Sequence, residues 1–144
     1  MAAEGTTMGR ITLEFTVANN REVALAESGH MAAEAVRRVT LKGVVDTGAT
    51  RLVLPESVVN QLGLVPSGQA TVRFADQRTA IRAMVKGVSV ELLGRQGVFS
   101  AIVEPGRGDA LIGAIVMEDL DFLVDCATQT LQPRDPNGIF SEIE

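Results

Sequence analysis

Val44-Val45-Asp46-Thr47-Gly48-Ala49 places one carboxylate and one hydroxyl at the end of an apolar strand, in what reads as a tight turn. The two valines before the acid and the small residues after it predict a partly desolvated carboxylate. An acid on such a turn either caps a backbone N–H or does chemistry. Gly48 lets the chain bend sharply or come close to a neighbour. Thr47 can hydrogen-bond across the turn or across an interface. Asp-Thr-Gly alone is short enough to recur by chance, so its meaning depends on what surrounds it.

Outward from the motif the hydrophobic period is mostly two. Ile11 to Val17 alternates apolar and polar residues, as a half-buried strand should. Ala18-Asn19-Asn20-Arg21 reads as a turn, with Glu22 to Ala26 returning as the second arm of a hairpin. Glu27 to Glu34 is a polar loop or a short helical turn, and Val36 to Val45 is a strand in which Gly43 marks a bulge or a close approach. After the motif come a short strand at Leu52–Leu54 and a helix over 55–63, opened by Pro55 and closed by Gly63. A hairpin spans 69–85 with its tip at Ala75, Asp76, Gln77 and Arg78. A further hairpin joins 88–92 to 98–104 around Leu93–Gly97. Leu111-Ile112-Gly113 leads into a helix near 115–120, and a last strand covers Phe122–Val124. Many short strands at regular spacing predict an all-β barrel or sandwich.

Composition narrows the function. The 144 residues fit one domain, with residues 1–9 expected as a flexible N-terminus and 132–144 as a C-terminal tail. A net charge of −5, with five Phe and neither Trp nor Tyr, argues against nucleic acid as a partner. No apolar run approaches the ~20 residues of a membrane helix, so no membrane partner is expected. One cysteine and a start without a basic, apolar leader fit a reducing compartment, so the expected location is cytoplasmic. Cys126 is expected as a buried, inert thiol and His30 as an exposed loop residue. Asp119, Asp121 and Asp125 read as a solvated face, because the closing residues of a calcium loop are missing. No cofactor and no metal are expected.

From about residue 10 to residue 131 the chain resembles the retroviral-type (retropepsin-like) aspartic proteases, in particular their short cellular and bacterial members. The apolar lead-in, the Asp-Thr-Gly-Ala turn, the 69–85 hairpin and the late Leu111-Ile112-Gly113 with its helix occur in the family's order. The resemblance implies a single-lobe acid-protease barrel with one or two short helices. It also implies an aspartic endopeptidase acting on a peptide or protein substrate. Asp46 would be the catalytic acid, Thr47 and Gly48 would brace it, and the 69–85 hairpin would be a flap. Val44, Ala49, Thr50, Arg51, Val53, Ala75, Asp76, Gln77, Arg78 and Ile112 are the expected substrate-binding residues. Aspartic proteases need two carboxylates sharing one proton, and Asp-Thr-Gly occurs once here. A homodimer with Asp46 on its two-fold axis would supply the second, and in this family the termini, here Leu131–Glu144, add interface strands.

The chain departs from the retroviral pattern at an ion pair between the residue after the Ala and an Arg after the late Gly. Those positions are Thr50 and Ala114, so both partners are absent together and no orphan charge is left. The flap tip has no glycine. The missing ion pair keeps a second reading open, a non-catalytic dimeric peptide- or protein-binding module on the same fold.

Overall fold

Ile11–Asn19 forms strand β1 because its alternating apolar residues have a core to enter: Ile11, Phe15 and Val17 are buried. The computed structural model describes residues 10–144; the expected flexible N-terminus, residues 1–9, lies outside the described residues. Strand β2 (Arg38–Val45) runs antiparallel to β1 from Ile11↔Val45 to Ala18↔Arg38. The other edge of β1 pairs with β5 (Thr79–Leu92) from Thr16↔Glu91 to Asn19↔Val88. Strands β3 (Leu52–Pro55), β4 (Val65–Arg73), β6 (Arg95–Glu104) and β7 (Ala110–Ile112) complete the order β1-β2-β7-β3-β6-β5, which returns to β1. Six strands therefore close into a barrel and lose their free edges. Strand β4 remains outside, paired only with β5.

The interior is aliphatic. Val17, Leu52, Leu54, Val88, Val90, Leu92, Ala101 and Ile112 are fully enclosed. Helix α2 (Glu56–Leu62) covers one side with Val58, Val59 and Leu62, and Gly63 ends it at φ 63°, a conformation glycine adopts without strain. Helix α3 (Ala114–Asp119) adds Val116 and Met117. A separate hairpin, β8 (Phe122–Asp125) with β9 (Thr130–Pro133), joins the same core through Phe122 and Leu131. The all-β, retropepsin-like barrel expected from the resemblance is the architecture observed.

Local differences have local causes. Residues 20–27 are not a hairpin arm but helix α1 (Asn20–Glu27). The Asn19 side chain accepts from Glu22 N at 3.2 Å and caps a run of good helix formers. The same buried side chain donates to Leu62 O at 2.8 Å, tying the end of α2 to the start of α1. A 3-10 turn (Ala33–Ala35) follows, so β2 starts at Arg38. Strand β5 is one strand rather than two, carried through a bulge at Lys86-Gly87 where Gly87 has φ 71°. The β5–β6 connection tightens to Leu93-Gly94, both at positive φ. Gln132 and Pro133 of the expected tail pair within their own chain in β9. Cys126 is exposed, not buried. Asp121 is buried, not solvated: its carboxylate accepts from Arg134 Nε and Phe140 N.

Helix α1 buries no residue, so polar contacts hold it. Arg37 donates its backbone N–H (2.9 Å) and its Nε to the Glu22 carboxylate, which holds Glu22 below the ordinary value of 4.5. A carboxylate depressed by folding stabilises the protein above its unfolded pKa, and that contribution disappears as the pH falls through the lower folded value. Acid unfolding of the wild type should thus include a component below about pH 4.5 that Glu22→Gln lacks. Superimposable acid-unfolding curves for the two proteins would refute this.

Candidate active site

Asp46 is the first residue beyond β2, and two sets of backbone bonds hold it. Its N–H donates to Ile112 O of β7 at 3.0 Å, continuing the parallel β2–β7 ladder past Val45↔Ile112. Its carbonyl accepts from Ala49 N at 3.1 Å, closing the turn. Within the turn Oδ1 accepts from Gly48 N at 2.9 Å, and Oδ2 has no hydrogen-bond partner among the described residues. Asp46 as a residue is half-buried, and Val44 and Val45 before it are both buried.

The far side of the loop is tied to α3. Ala114 N donates to Ala49 O at 2.8 Å, and Ile115 N donates to Thr50 O at 3.0 Å. These are N–H groups of the first helical turn, which no helix can satisfy internally. Gly113 makes the approach possible. A Cβ there would lie 2.4 Å from Arg51 O and 2.8 Å from Ala49 O and Arg51 N, all backbone atoms that cannot swing away. Gly43 is also closely approached, but by side chains: a Cβ would meet Phe15 Cε1 at 2.7 Å and Ile112 Cδ1 at 2.8 Å. Gly43 thus marks a close approach, with the β1–β2 register unbroken across it.

The structure gathers most of the expected residues and sorts them. Thr47, Gly48, Thr50 and Arg51 are exposed on one loop, with Ala49 half-exposed. Neither the Thr47 hydroxyl nor the Arg51 guanidinium has a side-chain partner among the described residues. Val53 is half-buried in β3, opposite Leu111 and Ile102. Val44 and Ile112 are buried, Ile112 completely, and of the two only Ile112 belongs to the barrel core.

The 75–78 tip caps the β4–β5 hairpin. Gln77 N donates to Phe74 O at 2.9 Å, Phe74 N donates to Arg78 O at 2.8 Å, and Gln77 takes the positive φ (75°) that a glycine would otherwise supply. Asp76 accepts from Arg78 N and, at 2.6 Å, from Arg78 Nε, which holds its carboxyl below the ordinary value. The Arg78 guanidinium lies 5.2 Å from the centre of the Phe74 ring. Sequence reasoning did not single out Phe74, Arg82 or Glu104; the Arg82–Glu104 pair spans 22 residues, and only the β5–β6 register brings it together.

No cluster of three or more His, Cys, Asp or Glu side chains among the described residues could hold a metal ion. His30 is exposed, with Nδ1 3.0 Å from Ser28 Oγ. A cavity of about 250 Å³ lies between α1 and the outer face of the sheet, and none of its lining residues belongs to the Asp46 loop. No described helix is long and apolar enough to cross a membrane.

A closed barrel with an Asp-Thr-Gly-Ala turn clamped by Ile112-Gly113 defines a retropepsin-like aspartic protease fold, and solved structures agree. The chain is similar to EIAV protease complexed with the inhibitor HBY-793, at 15% identity and TM-score 0.54, over 83% of this chain and 94% of that one. It is also similar to the foamy viral protease-reverse transcriptase in complex with an RNA/DNA hybrid, at 17% identity and TM-score 0.52. That match covers 76% of this chain and only 12% of the viral one. No curated protein matches the sequence. The sequence pattern of the family described as aspartyl protease matches residues 34–116, from the 3-10 turn through the first half of α3. The chain belongs to the aspartyl protease family.

The clamp makes a testable demand. Gly113→Ala should destabilise the fold by roughly 3 kcal/mol, the upper range for overpacking, because the added Cβ meets backbone. Asp46→Asn should change stability by no more than about 0.5 kcal/mol, as expected for a near-isosteric surface change. Urea titrations of both variants check this; a Gly113→Ala protein as stable as wild type would show that the loops separate freely.

Proposed function

We propose that this protein is an aspartic endopeptidase active as a homodimer, with catalytic water held between two Asp46 carboxylates. The observation that carries the reading is the Asp46 turn itself. It is clamped through its backbone at both ends, and one carboxylate oxygen has no hydrogen-bond partner among the described residues. One chain supplies one such acid, so the second must come from a second copy.

In the dimer, the ionised Asp46 takes a proton from water as the water attacks the scissile carbonyl. The protonated Asp46 of the other copy then gives its proton to the developing oxyanion. Proton transfer to the amine completes cleavage, with no covalent intermediate. The exposed Thr47 hydroxyl, unpartnered within the described chain, bonds to the partner's turn. Gly48 N steadies the carboxylate and Ala49 leaves room for the substrate backbone. The substrate lies extended between the loop and the 75–78 tip and adds its backbone as a strand. Thr50, Arg51 and Val53 contact it from the loop side, Ala75, Asp76, Gln77 and Arg78 from the flap, and Val44 and Ile112 support the floor. Thr50 and Ala114 carry no ion pair, which favours the second reading, a dimeric peptide-binding module; tight peptide binding without hydrolysis would establish that instead.

Asp46→Asn should lower kcat by roughly 10⁴-fold, the upper range for loss of a general acid–base group. Wild-type specific activity should fall on dilution through the dimer dissociation range. Thr47→Ala should move that range to higher concentration, because each lost interfacial hydrogen bond costs ~1–3 kcal/mol. Full activity from a species that sediments as a monomer would end the dyad mechanism.

Substrate charge preference should follow the free cation. Arg78 is engaged by Asp76, whereas Arg51 is exposed and unpaired among the described residues, five positions beyond the acid. Peptides with an acidic side chain near the scissile bond should be cleaved several-fold better than matched basic ones, roughly 1 kcal/mol of exposed ion pairing. Arg51→Glu should reverse the order. Equal rates for both peptides with wild-type enzyme would exclude Arg51 as the reader.

A further inference from the structure

The β4–β5 hairpin leaves the barrel at a definable point. The last backbone pairings between β5 and β6 on that side are Val85↔Ala101 and Met84↔Ile102. Beyond them β6 continues along β3, with Leu54↔Val103 and Pro55↔Glu104, while residues 79–83 of β5 pair only with β4. In the same register the missing pair after next would join Arg82 to Glu104. Those two residues meet through their side chains instead: Arg82 Nε donates to Glu104 Oε1 at 2.9 Å and Arg82 Nη2 to Oε2 at 3.1 Å. Where the backbone ladder stops, a two-pronged ion pair takes over. Its side chains keep only 26% and 18% of their exposure, so solvent screens this pair less than an open surface contact.

The contact continues to the tip. Phe74, Arg78 and Arg82 share one face of the hairpin, with only the small side chains of Val72 and Ala80 between them. The Phe74 ring has the Arg78 guanidinium at 5.2 Å and that of Arg82 at 5.6 Å, a pair of cation–π contacts. Asp76 in turn fixes Arg78. A continuous line of side chains, Asp76–Arg78–Phe74–Arg82–Glu104, therefore runs from the tip to the barrel wall.

We propose that Arg82 and Glu104 latch the hairpin to the barrel, and that Phe74 carries the latch to the tip, setting how far the flap stands from the Asp46 loop. As control of substrate entry this rests on the peptidase reading; as a mechanical link it does not. Arg82, Glu104 and Phe74 are positioning residues and touch no reacting atom.

Limited digestion with trypsin reads the latch without any catalysis by the protein. Hairpin cleavage after Arg73 and Arg78 is followed against cleavage after Arg21 in α1 as an internal reference. Glu104→Gln should speed cleavage after Arg73 and Arg78 about tenfold, as expected when roughly 1.4 kcal/mol of closing free energy is lost, and leave Arg21 unchanged. The exchanged pair Arg82→Glu with Glu104→Arg should return the hairpin to wild-type resistance. If the enzyme cleaves peptides, Glu104→Gln should also raise KM with a smaller effect on kcat. Unchanged hairpin cleavage in Glu104→Gln would overturn the latch, and so would a parallel rise at Arg21, which marks general loosening. An inactive wild type with a trypsin-sensitive Glu104→Gln variant would overturn the peptidase reading and leave the latch standing.

Discussion

The site depends on one close crossing, the passage of Ile112-Gly113-Ala114 against the Ala49–Arg51 segment. Because Gly113 has no side chain, two stretches of backbone come within hydrogen-bonding distance, and three backbone bonds fasten the Asp46 turn to β7 and α3. The acid is therefore positioned by main chain rather than by neighbouring side chains. Such placement costs no rotamer entropy in supporting residues and leaves the carboxylate open toward solvent. The crossing also joins the barrel, since β7 inserts between β2 and β3 and pairs with both.

Around that crossing the barrel needs little more than aliphatic volume. Peripheral segments lie beyond the reach of the strand ladder, and single polar residues fix them. Asn19 caps α1 and holds the end of α2. Arg95 donates to the carbonyls of Leu120, Asp121 and Asp135, which secures the end of α3 and the chain after β9. No buried side-chain nitrogen or oxygen among the described residues lacks a partner. Each of these residues carries several bonds, so losing one would free a whole segment and strand buried carbonyls, a cost well above that of a single exposed hydrogen bond.

The flap follows the same economy in a different form. Its strands overhang the barrel, its tip has no glycine, and its shape is held by charge: Asp76 on Arg78, and Arg82 on Glu104. A glycine-poor tip with a bonded Asp–Arg pair has fewer conformations to sample than a glycine-rich one. Thr50 and Ala114 carry no ion pair, and Thr50 O and Ala49 O accept from the first residues of α3. Main-chain bonds thus hold the site loop, and charged side chains hold the flap.

Much of this was written in the chain. Alternation over Ile11–Val17 and the Pro55 and Gly63 punctuation of α2 specified strands and helix, because period and turn chemistry are local properties, while the order of Asp46 turn, hairpin and Leu111-Ile112-Gly113 carried the resemblance that pointed to the class. Residues 20–27 misled, since a capped helix and a returning strand arm share the same polar composition, and only the capping bond from Glu22 N to Asn19 decides between them. The continuity of β5 through Gly87 was equally hidden, for a glycine ends a strand or bulges it according to what lies on the neighbouring strand. Tertiary structure alone decided that Ile112 is enclosed while Val53 faces partly outward, and that Arg82 meets Glu104. Each of these is a relation between residues brought together by register and barrel closure, and sequence spacing carries no record of register until the barrel has closed.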